Sequence, residues 1–211
     1  MRILFQGDSI TDGERDRNDQ YHLGYSYPLY AADYLRQLCP DTEFEFINRG
    51  VGGNYTRDLL ARLDSDVLAI QPDILSILIG VNDVWARPGD EAWISNAMFE
   101  EQYRTILQEV KAKTKAKIVI LEPFLVPNPC RDQFRADLDP KIQIIRTLAR
   151  KYANMYIPID GLLAEAYMQK DPCQYSEDGV HLTPHYGAKV VGKWYAERVE
   201  KLVKACCQEG A

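Results

Sequence analysis

The sequence has no apolar run that approaches the roughly 18 residues of a membrane-spanning helix. It also has no block of like charge, and its net charge of −6 disfavours nucleic acids and anionic membranes as partners, because both bind basic surfaces. The apolar stretch at the start of the chain is too short for a secretory signal. These absences predict a cytoplasmic protein without a membrane span.

Cysteine and histidine are too sparsely placed to predict a disulfide framework or a metal site. The five cysteines are odd in number and show no C-x-x-C spacing, so we expect free thiols. His181 and His185 could form a metal pair, but Pro184 interrupts the helical face that such a pair needs, and no nearby acidic third ligand follows. We therefore expect neither a metal nor a cofactor. The cysteines are Cys39, Cys130, Cys173, Cys206 and Cys207.

Two kinds of apolar segment alternate along the chain. Five short runs have the length and composition of strands: 2–6, 44–47, 74–79, 117–121 and 155–159. Helical spacing occurs between and after them: over 27–38 and 56–70, around 99–110 and 142–152, over 162–167, and from Pro184 onwards. Strands separated by helices predict a parallel five-stranded sheet with helices on both faces. The length of 211 residues suits one such α/β domain spanning 1–211.

Three polar loops follow the first three predicted strands. Ligands bind at the carboxyl edge of an open α/β sheet, and the loops at 7–11, 50–55 and 80–83 are expected to meet at that edge. The first loop contains Ser9 in the sequence Gly-Asp-Ser-Ile-Thr. A serine placed there can be a nucleophile if a base reaches it. Taken alone, the sequence is also typical of a turn or a helix N-cap.

The candidate base is one of three histidines, His22, His181 and His185. His22 lies in a polar loop and is expected at the solvated surface, and His185 is expected in the first turn of the last helix. His181 stands three residues after Asp178. A turn over that spacing can bring the carboxylate to the imidazole Nδ1, which fixes the tautomer and leaves Nε2 to accept a proton. The alternative is an Asp-Gly turn followed by a core histidine.

Acyl transfer also needs hydrogen-bond donors for the developing oxyanion. Backbone N–H groups of Gly50, Gly52 and Gly53 and the side chain of Asn82 lie on the expected edge. The alternative interpretations are a tight βα turn for the glycines and an Asx-turn for Asn82. Spacing alone does not separate the three glycines.

Taken together, these segments resemble those of the SGNH hydrolases, the GDSL-type esterase/lipase family. The four motif blocks of that family occur here in order: Gly7-Asp8-Ser9-Ile10-Thr11, then Asn48-Arg49-Gly50-Val51-Gly52-Gly53-Asn54-Tyr55-Thr56, then Gly80-Val81-Asn82-Asp83, then Asp178-Gly179-Val180-His181. Two positions depart from the family pattern: Ile10 stands for leucine and Tyr55 for a small residue. A G-x-S-x-G sequence is absent, so the nucleophile elbow of the α/β-hydrolases is not implied.

The resemblance implies a role for each matching residue. Ser9 corresponds to the nucleophile, His181 to the base, and Asp178 to the residue that orients the histidine. The Ser9 N–H, the Gly53 N–H and the Asn82 side chain correspond to the oxyanion hole, because the family glycine directly precedes Asn-x-Thr. The family fold is a flavodoxin-like three-layer α/β/α sandwich.

The resemblance implies a serine esterase, while the substrate has to be inferred separately. No long apolar lid is visible, which disfavours a triglyceride lipase, and Gly-Asp-Ser-Ile-Thr-Asp followed by Arg-Asp-Arg is similar to bacterial members that deacetylate carbohydrates. We expect hydrolysis of small-acyl esters through an acyl-enzyme, with acetylated sugars as the leading substrates. The alternatives are a lysophospholipase or acyl-thioesterase, an acyltransferase and a non-catalytic binding module; the oligomeric state stays open. Aromatic residues among polar neighbours are expected near Ser9: Tyr21, Tyr25, Trp85 and Trp93.

Overall fold

A parallel sheet of five strands forms the centre of the molecule. The computed structural model describes residues 1–86 and 88–209. The strands pair in the order β2-β1-β3-β4-β5, all parallel, which is the flavodoxin-like order. The predicted α/β class with a parallel five-stranded sheet is confirmed. The strands are β1 (Arg2–Gly7), β2 (Glu45–Asn48), β3 (Ile74–Leu78), β4 (Lys117–Leu121) and β5 (Met155–Ile157).

Helices cover both faces of this sheet. They are α1 (Ser9–Asp12), α2 (Tyr27–Leu38), α3 (Thr56–Ala61), α4 (Asn96–Lys113), α5 (Arg135–Tyr152), α6 (Ile159–Ala166) and α7 (Gly187–Glu209). Alternate side chains of a strand serve opposite faces. Ile3 and Phe5 of β1 belong to the core that α2 and α7 cover, whereas Leu4 belongs to the core that α4 covers. Phe5 lies edge-on to Tyr27 of α2, with ring centroids 5.9 Å apart.

The segment after β2 departs from the single helix predicted over 56–70. α3 ends at Ala61, and a π-helical turn over Asp64–Leu68 follows, in which the Ala69 N–H donates to the Asp64 carbonyl at 2.8 Å. Between the two, the Arg62 guanidinium donates to the Gly7 carbonyl at 3.2 Å. Apolar spacing indicates a helix but does not distinguish the wider π turn, so the prediction of one continuous helix was wrong.

The last helix begins later than the sequence predicts. Pro184 and the next two residues form a turn, and the Thr183 Oγ1 accepts the Gly187 N–H at 2.9 Å. Glycine is needed where α7 begins, because a Cβ at Gly187 would lie 2.1 Å from the Tyr175 carbonyl oxygen. His185 therefore lies in an exposed turn ahead of the helix.

The sequence predicts a chain without a membrane span and with free cysteine thiols. Within residues 1–86 and 88–209, no helix is both long and apolar enough to cross a membrane. All five cysteines lie in the described part of the chain, and no disulfide joins them. Cys39 is buried in the core that α2 and α7 cover.

Candidate active site

Ser9 is the first residue of α1, directly after the turn that ends β1. Asp8 caps this short helix, and its Oδ1 accepts the Ile10 N–H at 3.0 Å. The Asp8 carboxyl is buried, and burial raises its pKa to about 7, against the hydrogen bond from Ile10 and with a further increase from the nearby Asp83. The N-cap of α1 is thus Asp8, and Ser9 is the partly exposed residue of the turn.

Ser9, His181 and Asp178 form a continuous chain of hydrogen bonds. Although 172 positions separate Ser9 and His181, the Ser9 Oγ lies 2.9 Å from the His181 Nε2. The His181 Nδ1 lies 2.6 Å from the Asp178 Oδ2. Because a carboxylate accepts at Nδ1, that nitrogen carries the proton, and Nε2 is the nitrogen that can accept from the serine hydroxyl.

The turn that carries Asp178 and His181 is built around the carboxylate. Asp178 Oδ1 accepts the backbone N–H groups of Val180 at 2.9 Å and His181 at 2.7 Å, and the Ser176 hydroxyl at 3.2 Å. Gly179 has a φ of +83°, a conformation that favours glycine. Burial raises the pKa of Asp178, but the hydrogen bonds from the His181 ring and the two backbone N–H groups outweigh it and lower the pKa to about 2. The carboxylate is therefore ionised at neutral pH.

The glycine-rich segment after β2 packs directly on α1. Asn48 is buried and donates through Nδ2 to the carbonyls of Thr11 at 2.8 Å and Leu23 at 2.9 Å. Its Oδ1 accepts the Gly50 N–H at 2.8 Å. This one side chain therefore holds three backbone segments together beside Ser9.

The structure separates the three glycines that spacing leaves equivalent. A Cβ at Gly50 would lie 2.3 Å from the Asp12 backbone nitrogen, so Gly50 is required for close packing. The Gly52 N–H donates to Asp12 Oδ2 at 2.8 Å. Gly53 has a φ of +79° and open space where a Cβ would stand, so there glycine serves the backbone conformation. Among the hydrogen bonds between described residues none uses the Gly53 N–H, which leaves Gly53 as the candidate oxyanion donor of the three.

Asn82 follows β3, and both ends of its amide are held. Its Oδ1 accepts the Trp85 indole N–H at 2.8 Å, and its Nδ2 donates to the Asn54 carbonyl at 2.9 Å. A second hydrogen on Nδ2 remains for another acceptor. The adjacent Asp83 accepts from the Thr56 hydroxyl at 3.0 Å and so ties this loop to the one after β2. Burial raises the pKa of Asp83 to about 6, against the hydrogen bonds from Thr56.

The sequence predicts Trp85 only as an aromatic residue near Ser9; in the structure its indole N–H donates to Asn82 Oδ1 and so orients that amide. Its ring packs edge-on against Phe134, with centroids 4.7 Å apart, and the Arg131 guanidinium lies 4.9 Å from its ring centroid. The signal that could have found it is the Asn-x-x-Trp spacing, because residues 82–84 form a 3₁₀ turn that places residues three apart on one side.

Trp85→Phe is expected to lower kcat for an acetyl ester, because the Asn82 amide is then free to rotate and present Oδ1 in place of Nδ2. The loss should stay below the roughly 100- to 1000-fold that removal of an oxyanion donor costs. Steady-state kinetics of the purified variant measures it, with Trp93→Phe at an exposed position as the control. An unchanged kcat in Trp85→Phe would show that the indole N–H does not orient the amide.

A cleft of about 610 Å³ borders Ser9 and His181. This volume lies in the range of small-molecule sites and exceeds the needs of an acetyl group alone. A second cavity of about 860 Å³ shares His181, Leu182 and Pro184 with the first. The charged and aromatic side chains that line the cleft, apart from His181, are Asp12, Glu14, Arg15, Arg17 and Tyr25.

Of the other aromatic and histidine residues considered from the sequence, some line the cleft and others lie outside it. Tyr25 lines the cleft, whereas the Tyr21 hydroxyl donates to Glu45 at 3.1 Å. His22 accepts the Asp16 N–H through Nδ1 at 3.0 Å and does not join the chain of hydrogen bonds at Ser9. Within the described ranges, no group of three or more histidine, cysteine, aspartate or glutamate side chains is placed to hold a metal ion.

A Ser-His-Asp chain of hydrogen bonds at the carboxyl edge of a parallel sheet, beside backbone and amide donors, is the arrangement of a serine hydrolase. The sequence model of the GDSL-like lipase/acylhydrolase family matches residues 5–185. The chain belongs to this family, which confirms the resemblance of its motif blocks. It is a carboxylic ester hydrolase with a Ser-His-Asp triad.

Relatives of known structure share both the sequence and the fold. The chain is 29% identical over 187 residues to an acetylxylan esterase from Geobacillus stearothermophilus, with 85% of each protein covered. A structure of a catalytic variant of an acetylxylan esterase from that bacterium has a TM-score of 0.84 at 28% identity and covers 94% of this chain and 93% of its own. A structure from Parabacteroides merdae, described as a GDSL-like lipase, has a TM-score of 0.81 at 32% identity and covers 93% of this chain and 94% of its own.

Proposed function

We propose that this protein is a carbohydrate O-acetylesterase in which Ser9 is the nucleophile, His181 the general base and Asp178 the group that orients the histidine. The observation that carries the proposal is the hydrogen-bond chain from Ser9 Oγ to Asp178, which borders a cleft of about 610 Å³ lined in part by charged side chains. The acetylxylan esterase of Geobacillus stearothermophilus supports an acetylated polysaccharide as the substrate class.

The acylation step follows from the positions of the proton donor and acceptor. The Ser9 hydroxyl attacks the acetyl carbonyl carbon while His181 Nε2, 2.9 Å away, takes the hydroxyl proton. The Asp178 carboxylate stabilises the imidazolium that forms. The protonated Nε2 then donates to the sugar oxygen as the ester bond breaks, which leaves an acetyl group on Ser9 and a free sugar hydroxyl.

The tetrahedral intermediates need donors for the negative oxygen. We assign this task to the N–H groups of Ser9 and Gly53 and to the Asn82 amide hydrogen that Asn54 does not use. Each of these donors is held by the fold before substrate binds, so little reorganisation accompanies the reaction. In the second half of the cycle, water gives a proton to His181 Nε2 and attacks the acetyl carbonyl carbon. The bond from that carbon to Ser9 Oγ then breaks, Nε2 returns the proton to Oγ, and acetate leaves.

The lining of the cleft favours a short acyl group and a polar alcohol. Asp12, Glu14, Arg15 and Arg17 border it, and a long alkyl chain laid against them would displace their water without supplying hydrogen bonds. A sugar offers hydroxyl groups to the same side chains, and Tyr25 offers a ring face. This argument separates the proposal from a lysophospholipase or long-chain thioesterase.

With nitrophenyl esters that differ only in acyl length, kcat/KM is expected to be highest for acetyl and to fall steeply beyond butyryl. Because the leaving group is constant, the series reports acyl preference alone. Acetylated xylo-oligosaccharides and acetylated glucose, followed by acetate release, then test the carbohydrate part. Preference for long acyl chains would contradict the proposal and favour a lysophospholipase or thioesterase. Ester formation with an added alcohol in place of acetate release would indicate an acyltransferase.

A further inference from the structure

The wall of the cleft beside Ser9 contains a buried arginine. Arg15 is 8% exposed and lines the cleft together with Ser9 and His181. Its Nε donates to the Gly50 carbonyl at 2.9 Å, and its Nη1 is enclosed without a hydrogen-bond partner among the described residues. The Gly50 contact fixes the guanidinium in place, and the acceptor in this contact is a neutral oxygen.

The nearby Asp12 carboxylate already accepts hydrogen bonds from other groups. Asp12 Oδ2 accepts from Arg17 Nη2 at 2.6 Å and from the Gly52 N–H at 2.8 Å. Asp12 Oδ1 accepts the Arg15 backbone N–H at 3.3 Å, not its guanidinium. Asp12 therefore forms an ion pair with Arg17, and within residues 1–86 and 88–209 no carboxylate is hydrogen-bonded to the Arg15 guanidinium.

Two further guanidinium groups, those of Arg49 and Arg62, lie near Arg15. Arg49 donates to the neutral Gln20 Oε1 at 2.9 Å, and Arg62 pairs with Asp66. Burial lowers the pKa of Arg15, and repulsion from neighbouring guanidinium groups lowers it further, against the attraction of Asp12. The neighbouring groups are Arg49, Arg17 and Arg62. Four guanidinium groups therefore lie close together, and two of them pair with carboxylates, Arg17 with Asp12 and Arg62 with Asp66.

We infer that Arg15 and Arg17 form an anion-recognition subsite, which takes a carboxylate or phosphate group carried by the sugar whose ester is cleaved at Ser9. A planar guanidinium matches both groups through paired hydrogen bonds. A buried cation without a bound anion is costly, and an anionic group in the cleft would lie against the side of the Arg15 guanidinium that lines it. Glu14 also borders the cleft but is exposed to solvent, where water and salt screen its repulsion.

The inference rests on the proposed function only in that a sugar occupies the cleft. It is tested by inhibition of nitrophenyl acetate hydrolysis with glucose, glucuronate and glucose 6-phosphate, which share one ring and differ at C6. We expect the inhibition constant of at least one anionic sugar to be about tenfold or more below that of glucose, the effect of one charged hydrogen-bonded contact. Which anion binds better distinguishes a sugar acid from a sugar phosphate.

Two variants and a control assign the effect to the subsite. Arg15→Gln and Arg17→Gln are each expected to bring the ratio of the glucose and anionic-sugar inhibition constants close to one. Arg36→Gln is the matched control, because Arg36 is as exposed as Arg17 (54% and 55% of the side chain) and is also paired with an aspartate, but lies near the end of α2 away from the cleft. It should keep the wild-type ratio.

Equal inhibition constants for the three sugars in the wild type would overturn the inference, and so would a ratio unchanged in both cleft variants. The proposed function fails in a different experiment. A protein that binds glucuronate through Arg15 but releases no acetate from acetylated sugars would keep the subsite and lose the carbohydrate esterase. A protein that deacetylates sugars but binds neutral and anionic sugars equally well would confirm the carbohydrate esterase and contradict the anion subsite.

Discussion

Ser9→Ala is expected to lower kcat for acetyl esters by about six orders of magnitude, the loss that follows removal of a serine nucleophile from a hydrolase triad. The variant keeps His181 and Asp178 but has no oxygen that can form the acyl-enzyme. A serine-directed phosphonate probe measures the same event directly, because it forms a covalent bond with an activated serine. Labelling of the wild type and none of Ser9→Ala is the expected result.

Ser26 provides the matched control for the labelling experiment. Ser26 also lines the cleft and is 6% exposed, but it precedes α2 and has no histidine bound to it. Labelling that persists in Ser9→Ala and disappears in Ser26→Ala would place the nucleophile elsewhere. A wild-type protein that resists the probe altogether would favour a binding module over an enzyme.

The fold could be predicted because each strand carries a local signal. The uninterrupted apolar run of β3 is typical of a strand that is covered on both faces, and its residues Ile74–Leu78 are all buried. Alternating strands and helices then require parallel pairing. Helix boundaries were less predictable. The π turn after α3 and the delayed start of α7 depend on hydrogen bonds and close contacts, such as that of Gly187 with Tyr175, that apolar spacing does not encode.

The candidate site could be predicted where its contacts are local. Asp178 and His181 stand three residues apart in one turn, so their spacing alone suggests the hydrogen bond that the structure contains. The meeting of Ser9 with His181 required the topology of the sheet as well. The roles of both residues are assigned by the motif blocks and remain predictions.

Contacts that join distant loops could not be predicted. Arg15 reaches the Gly50 carbonyl across 35 positions, and nothing in either segment indicates that this arginine is buried without a carboxylate. Gly50 and Gly53 also differ only in three dimensions, because one has no room for a Cβ and the other has a positive φ. The folded backbone decides these features, so sequence spacing alone cannot reveal them.

Asp178→Asn is expected to lower kcat by about four orders of magnitude and to leave the fold intact. The asparagine Oδ1 can still accept the backbone N–H groups of Val180 and His181, so the turn is retained. Its Nδ2 then takes the place of Oδ2 opposite His181 Nδ1. Because Nδ2 is a donor, Nδ1 must become the acceptor, and the proton moves to Nε2, where it prevents the ring from accepting the Ser9 proton.

The measurement is kcat of the purified variant, with thermal unfolding to verify the fold. Asp171→Asn is the control, because the Asp171 carboxylate also accepts a nearby backbone N–H, that of Cys173 at 2.9 Å, whereas the histidine hydrogen bond belongs to Asp178. It should retain near-parental activity. An Asp178→Asn variant that folds and stays within about tenfold of the parent would mean that the ionised carboxylate does not set the tautomer, since a wrong tautomer alone accounts for the full expected loss.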